Sequence, residues 1–244
     1  MQVDAFAVRL RARSQMEAAD LGVGLCQLAA RSVYVCFAVA ALPVALLAIG
    51  CAEIAPALPI VVIWFAKPWL DRTILFVLSR AAFGQQTGLA DLWRAQRDVW
   101  WRQLLFTWSI RRLSPWRSFT QPIFQLEGGT LLEANARVKQ IRSGHALSAL
   151  MITHAFSMTE TALTFSLLSL VLWLAPSGTV PAMAEMVSGI LPRILAIAVP
   201  TAYGIAVFFV EPFYVAAGFA MYLNRRAELE AWDIEQEFRR AFVD

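Results

Sequence analysis

The sequence has little charge and few residues that carry metal-binding or nucleophilic chemistry. Only 16% of its 244 residues are Asp, Glu, Lys or Arg, whereas a soluble domain carries about a quarter. Three cysteines and two histidines are too few and too scattered for a disulfide framework or a zinc site. It has no phosphate-binding glycine loop, no GxSxG motif and no acidic metal cluster. We therefore expect a non-enzymatic protein with no catalytic residue, metal or cofactor.

Apolar residues take the place of the missing charge. They make up 59% of the chain, with 16 Phe and 9 Trp, and the mean hydropathy is +0.57. Aromatic residues of this kind collect at membrane interfaces. The composition predicts one all-α integral membrane domain over residues 1–244, with about four transmembrane spans, although five or six remain open.

The first predicted helix pair covers residues 32–83. Ser32–Gly50 is uncharged and long enough to cross about 30 Å of hydrocarbon. Ile54–Phe83 is the second span, and we expect it to be broken at Lys67-Pro68. The N-terminal segment, residues 1–31, contains a Ser-x-x-Glu pattern at Ser14 that predicts a helix start.

The second predicted pair covers residues 146–223. Its first span, Ala146–Ala175, contains Glu160, and its second, Ile190–Leu223, contains Glu211-Pro212. Proline lacks a backbone donor and crowds the preceding turn, so we expect a kink or break there. Arg225 and Arg226 then mark the charged membrane face.

The two pairs share an internal similarity. Phe65-Ala66-Lys67-Pro68-Trp69 resembles Phe209-Val210-Glu211-Pro212-Phe213, which indicates either a parallel duplication or a chance match. Interrupted segments at matching positions of two halves point to a membrane binding site. Lys67 and Glu211 carry opposite charges at equivalent positions, and a charge facing lipid costs about 2.5–3.5 kcal/mol. We therefore predict that they pair with each other, or that each meets another buried partner.

Basic residues predict the orientation. Twenty of the 21 Lys and Arg residues lie before the first span, between Lys67 and Arg142, or after Leu223. The positive-inside rule then puts the N-terminus, the middle and the C-terminus in the cytoplasm.

The middle segment, residues 85–145, is basic and amphipathic. Leu89–Trp108 has a Trp-rich apolar stripe with arginines beside it, which is typical of a helix lying on anionic lipid headgroups; packing on the protein's own helices is the alternative. Charge alone allows nucleic acid, but the neighbouring spans favour lipid, so we expect no nucleic acid partner. Ser114–Glu127 has two prolines and predicts a loop, and Leu131–Arg142 predicts a helix.

Two other polar features can each be interpreted as structural or as functional. His154 and Glu160 are six residues apart, which puts them on different helix faces and does not suit a metal. The Thr159-Glu160-Thr161 patch is typical of hydrogen bonding between helices, with an ion site as the alternative. The last predicted helix lies in residues 224–244 and has a narrow apolar stripe that ends in Phe238 and Phe242.

Residues Glu211–Arg240, EPFYVAAGFAMYLNRRAELEAWDIEQEFRR, resemble the C-terminal signature of a family of bacterial inner-membrane proteins with no assigned activity. Lys67-Pro68, the Leu78-Ser79-Arg80-Ala81 run and the Arg112–Ser118 segment also resemble its pattern, and Ala231 stands where that family usually has Gly. The resemblance implies a multi-span inner-membrane protein encoded near MoxR-type AAA+ ATPases and von Willebrand-type membrane proteins. It implies no catalytic residues.

Two functions follow as expectations. The first is a membrane scaffold of a cell-envelope system that docks protein partners through its cytoplasmic middle and its C-terminal helix. The second is a small transporter or channel that uses Glu160, Glu211 and Lys67. An intramembrane enzyme has little support, because no nucleophile stands beside a base at helical spacing.

Overall fold

The described part of the chain is helical throughout and contains no strand. The computed structural model describes residues 13–101, 114–173 and 190–230. Within these ranges eight α-helices and two π-helical turns follow one another: α1 Gln15–Leu28, α2 Ala30–Cys51, α3 Leu58–Ala81, α4 Leu89–Arg94, π1 Arg97–Trp101, α5 Arg117–Pro122, π2 Ile123–Glu127, α6 Leu131–Arg142, α7 Ala146–Trp173 and α8 Ile190–Glu230.

Helix α1 begins where the sequence predicts. The hydroxyl of Ser14 accepts a hydrogen bond from the backbone N–H of Glu17 at 3.2 Å, which satisfies one of the free donors at the helix start. Ala29 alone separates α1 from α2. Helix α2 contains the whole predicted first span.

Neither Pro68 nor Pro212 breaks its helix, so the prediction that the second span of each pair is broken there is wrong. Helix α3 continues through Pro68, and α8 continues through Pro200 and Pro212. A proline removes one backbone hydrogen bond and crowds one turn, but neighbouring helices can hold the two halves together. Pro68 and Pro212 are both buried among such neighbours.

The predicted loop at Ser114–Glu127 is also wrong, because most of it is helical. Helix α5 and turn π2 cover residues 117–127, and Phe119 and Ile123 are buried there. Packing against α8 therefore outweighs the weak local preference of this segment. Helix α6, in contrast, follows the prediction, with Thr130 and Glu133 forming a reciprocal cap.

The amphipathic segment is not one long helix over its described residues. Helix α4 ends at Arg94, and π1 follows it. Arg72 on α3 donates hydrogen bonds to the carbonyls of Asp98 (2.9 Å) and Val99 (2.5 Å), which diverts them from a regular helical pattern. This part of the segment therefore packs on the protein's own helices, while residues 102–108 lie outside the described ranges.

Helices α3 and α8 run side by side in the same direction. Ile63 lies against Gly204, and further along both helices, one turn on in α3 and two turns on in α8, Lys67 contacts Glu211. Helix α1 runs antiparallel to α8, since Gly22 lies against Ala216 and residue 13 reaches residue 224. The helix pairs thus meet along α3 and α8.

Helix α8 has an exposed apolar half and a buried half. Its 41 residues span about 60 Å, which is twice the thickness of the hydrocarbon core. Ile197, Ile205 and Phe209 are exposed in the first half, whereas nearly every residue from Val210 to Tyr222 is buried. Among the described residues, two stretches are long and apolar enough to cross a membrane: Ala30–Cys51 and Leu195–Glu230, with hydropathies of 2.4 and 1.7.

Ion pairs gather at the C-terminal end of α8. Arg137 on α6 contacts Glu127 at 3.2 Å and Glu230 at 2.5 Å. The hydroxyl of Tyr222 donates to Glu127 at 2.6 Å, and Asn224 exchanges two hydrogen bonds with the backbone of Arg13. This end of the bundle is therefore polar and cross-linked.

Candidate functional site

Lys67 lies between two carboxylates in the centre of the bundle. Its Nζ atom is 2.5 Å from Glu160 Oε2 on α7 and 2.7 Å from Glu211 Oε2 on α8. The predicted pairing of Lys67 with Glu211 is therefore confirmed, and Glu160 joins the same ion pair. Three helices, α3, α7 and α8, meet at this one ammonium group.

Arg117 is the second cation of the cluster. Its Nη2 atom is 2.5 Å from Glu211 Oε1, and its Nε atom is 2.8 Å from Asp71 Oδ2. The guanidinium also lies over the ring of Tyr214, 5.3 Å from the ring centre. Glu211 thus bridges both cations, and Arg117 bridges two carboxylates.

Local sequence explains how these side chains converge. Lys67 and Asp71 are four residues apart on α3, so they share one helix face. Gly218 allows α5 to approach α8 closely, because a Cβ atom there would lie 2.4 Å from the Cβ of Ser118. That close approach carries Arg117, the neighbour of Ser118, to Glu211.

The cluster is enclosed, and its charges sustain one another. Asp71 is 0% exposed and Glu211 is 1% exposed, while Lys67 and Arg117 are each 7% exposed. Burial lowers the pKa of Arg117, but the carboxylates of Asp71 and Glu211 outweigh that effect and hold it above its ordinary value. Removing one partner of such a buried pair costs about 3–5 kcal/mol, because the other charge is left uncompensated.

A cavity of about 330 Å³ adjoins the cluster. It lies between α3, α7, α8 and the start of α5, and it is partly open to the outside. Lys67, Arg117, Glu160 and Glu211 reach its wall, together with aromatic and hydroxyl side chains: Trp64, Phe156, Tyr203, Tyr214, Thr153 and Ser157. Its volume is at the lower end of the range for small-molecule sites, about 300–1,000 Å³.

Of the seven residues that the sequence indicates, three come together in the charged cluster and four do not belong to it. Lys67, Glu160 and Glu211 meet, whereas Pro68 and Pro212 are only their buried neighbours in the helices. The remaining two form ion pairs at the polar end of α8: Arg225 with Glu228 and Arg226 with Glu230, each at 2.9 Å.

Sequence reasoning missed Asp71 and Arg117. The position of Asp71 four residues after Lys67 is a signal that could have indicated a shared face. Arg117 lies in a segment whose sequence predicts a loop, so its contacts with Asp71 and Glu211 are seen only in the folded structure. His154 is exposed on α7, and within the described ranges no group of His, Cys, Asp and Glu is arranged to hold a metal ion.

Comparison with known proteins adds no relative. No family model, no curated protein and no solved structure matches the chain. The resemblance to a bacterial inner-membrane family therefore stays a prediction.

Proposed function

We propose that the chain is a four-span bacterial inner-membrane protein that binds a small polar solute between its two helix pairs and passes it across the membrane. The binding residues are Lys67, Glu160, Glu211 and Arg117. The cluster beside the cavity is the observation that carries this proposal. No catalytic step is needed.

Exposed apolar residues support the four spans. Beyond α2 and the apolar part of α8, large apolar side chains are also exposed on α3 and α7: Val61, Phe65, Met158, Phe165 and Leu170. They lie on the same length of the bundle as the exposed residues of α8. Lipid would cover these side chains at no cost in unsatisfied polar groups, since every one of them is on a helix.

The distribution of charge supports termini on the cytoplasmic side. Arg13, Arg137 and Arg226 gather with their partners at the C-terminal end of α8, and the short α2–α3 turn at residues 52–57 holds one acid and no basic residue. Exposed Trp93 and Arg94 on α4 would contact anionic headgroups at the basic side.

A buried charged cluster that only joined helices would stabilise the fold no better than apolar side chains of similar size. Replacing buried ion pairs by well-packed apolar residues is often neutral or stabilising by about 1–4 kcal/mol. Five charged side chains beside a polar cavity support a binding site instead, since ionisable residues inside a membrane typically mark substrate or ion pathways.

Filling the cavity tests this proposal. Ser157→Trp places a large ring at the cavity wall and replaces no residue of the cluster. Ser166→Trp places the same ring at an exposed position about two and a half turns along α7. We expect solutes that raise the melting temperature of the purified wild-type protein in mild detergent to lose that effect in Ser157→Trp and to keep it in Ser166→Trp. Equal responses of the two variants would contradict a cavity site.

Transport is tested by solute flux into proteoliposomes. Glu211→Gln is expected to abolish the flux while the variant keeps its monodisperse elution in detergent. Unchanged flux in a folded Glu211→Gln protein would remove the cluster from the transport path.

A scaffold is the second candidate, and the rigid end of α8 favours it. Helix α8 is unbroken to Glu230, where Arg137 and Arg226 hold it, so the chain that follows starts from a fixed point. The predicted docking stripe at Phe238 and Phe242 lies outside the described residues. Deleting residues 231–244 should release co-purifying partners from native membranes. Retention of every partner by the truncated protein would exclude this docking role.

A further inference from the structure

The guanidinium of Arg117 uses only part of its hydrogen-bonding capacity. Its Nε atom contacts Asp71 and its Nη2 atom contacts Glu211, whereas no described residue accepts a hydrogen bond from Nη1. Arg117 is 7% exposed and belongs to the cavity wall, and Nη1 is not shut off by burial. The partner that a guanidinium N–H binds most strongly is a carboxylate or phosphate oxygen. A ligand that reaches Nη1 should therefore offer an anionic acceptor.

Glu160 has the complementary requirement. Its Oε2 atom contacts the ammonium group of Lys67 at 2.5 Å, and no residue of the described ranges donates a hydrogen bond to Oε1. The side chain is 13% exposed, Oε1 is not shut off by burial, and Glu160 lines the same cavity as Arg117. A carboxylate accepts its strongest hydrogen bonds from cationic donors. A ligand that reaches Oε1 should therefore offer an ammonium group.

The two groups are close enough for one small molecule to reach both. Nη2 of Arg117 is 2.5 Å from Glu211, whose other oxygen is 2.7 Å from Nζ of Lys67, and Nζ is 2.5 Å from Glu160. These contacts in series place the guanidinium and the Glu160 carboxylate no more than about 10 Å apart. The charged groups of an α-amino acid are about 3–4 Å apart, and each can form a hydrogen bond of about 2.8 Å. Such a molecule therefore spans the distance.

We propose that the cavity binds a small zwitterion, a free amino acid, with its carboxylate on Nη1 of Arg117 and its ammonium group on Oε1 of Glu160. This inference rests on the proposed solute site and names the chemical class of its ligand. A carboxylate without an ammonium group would satisfy Arg117 alone, and an ammonium group without a carboxylate would satisfy Glu160 alone. A zwitterion brings no net charge, so its binding requires no change in the charge of the site.

The remainder of the wall fits a short apolar side chain. The rings of Phe156 and Tyr214 both line the cavity and touch each other, with their centres 5.8 Å apart. They offer an apolar surface on which an alkyl group of a few carbons can pack. The cavity of about 330 Å³ is at the lower end of the range for small-molecule sites. L-valine is therefore a suitable probe.

Fragments of one amino acid test the two contacts together. 3-Methylbutanoate is L-valine without its ammonium group, and isobutylammonium is L-valine without its carboxylate. Calorimetric titration of the full chain in mild detergent gives the dissociation constant of each probe. We expect L-valine to bind about tenfold or more tighter than either fragment, because each fragment leaves one polar group of the site without its partner. A fragment that binds as tightly as L-valine would overturn the inference.

Glu160→Gln tests the ammonium contact. The preference for L-valine over 3-methylbutanoate should fall from about tenfold or more to about one, because the amide lacks the charge that attracts the ammonium group. Since both probes are measured on the same variant, a change in the shape of the cavity acts on both of them. Asp20→Asn removes an exposed carboxylate on α1 and should leave the preference unchanged. A wild-type preference in Glu160→Gln would overturn this assignment.

Arg117→Lys tests the carboxylate contact. Lysine keeps the positive charge beside Asp71 and Glu211 but lacks the fork of a guanidinium. The preference for L-valine over isobutylammonium should therefore fall by about tenfold. Arg31→Lys makes the same change at an exposed position on α2 and should have no effect. An undiminished preference in Arg117→Lys would remove Arg117 from the carboxylate site.

The outcome also separates this inference from the proposed function. Binding of 3-methylbutanoate, isobutylammonium or the neutral 3-methylbutanamide that Ser157→Trp abolishes, with no preference for L-valine, overturns the zwitterion and leaves a solute site. If no solute of any charge binds to the protein, both fail.

Discussion

Lys67 illustrates how one buried cation can join three helices. It contacts Glu160 on α7 and Glu211 on α8 at distances of 2.7 Å or less, and its side chain is 9% exposed. When the lysine is removed, both carboxylates therefore lose a cation that contacts them in a largely buried site. The energetic consequence is a coupling between residues that are far apart in sequence.

We expect Lys67→Met to destabilise the protein by about 3–5 kcal/mol, because it leaves three carboxylates against one cation. Adding Glu211→Gln removes one of those carboxylates and should restore about 1–3 kcal/mol. The free energy of unfolding, measured by SDS titration of the purified protein in mixed micelles, gives both values.

Lys139→Met on α6 is the control for this cycle, since Lys139 is exposed; its effect should stay within about 0.5 kcal/mol. Strict additivity of Lys67→Met and Glu211→Gln would show that the two side chains are not energetically coupled.

Helix α1 shows at the element scale why a glycine can decide packing. A Cβ atom at Gly22 would lie 2.2 Å from the carbonyl oxygen of Ala216 on α8, so the two backbones touch only because no side chain is present. Gly24 on the same helix has no atom within 4 Å of that position. There is therefore no room for a methyl group at Gly22, whereas there is room for one at Gly24.

Gly22→Ala should lower stability by about 1–3 kcal/mol through overpacking against α8. Gly24→Ala should raise stability by up to about 1 kcal/mol, because alanine favours a helix more than glycine does. Hydrogen exchange of the α1 amides, read by mass spectrometry, should quicken in the first variant and slow in the second. The same response in both would mean that α1 does not pack on α8 at Gly22.

The whole molecule can be tested through its own cysteines. Cys26 and Cys36 are 0% exposed, and burial raises the pKa of Cys26 to about 12, so neither thiol should react with a maleimide in the folded protein. Cys51 is partly exposed at the α2–α3 turn. It is the native thiol that can report the side on which that turn lies.

In intact cells a membrane-impermeant maleimide should label Cys51, because the turn carries no basic residue and faces the periplasm under the proposed topology. In a Cys51→Ser background, Arg94→Cys should be labelled only after permeabilisation, since the Arg94 side chain is 81% exposed at the basic end. Labelling of both sites from the same side would exclude the four-span topology. Denaturation should expose Cys26 and Cys36 as well.

Local patterns in the sequence determined several helix boundaries and one buried ion pair. The start of α1 at Ser14, the cap of α6 at Thr130 and the apolar length of α2 depend on residues within a few positions, so they can be predicted from the chain alone. The pairing of Lys67 with Glu211 was also predictable, because an isolated charge inside an apolar run requires a partner.

Only the tertiary structure decided the remainder of the site. Continuity through Pro68 and Pro212, the helicity of α5 and the place of Arg117 beside Asp71 depend on contacts between residues that are tens to hundreds of positions apart. The cavity and the cluster beside it exist only where those helices meet. Local sequence preference is weak compared with such packing, which is why the chain alone indicates Lys67 and Glu211 but not the cluster that they belong to.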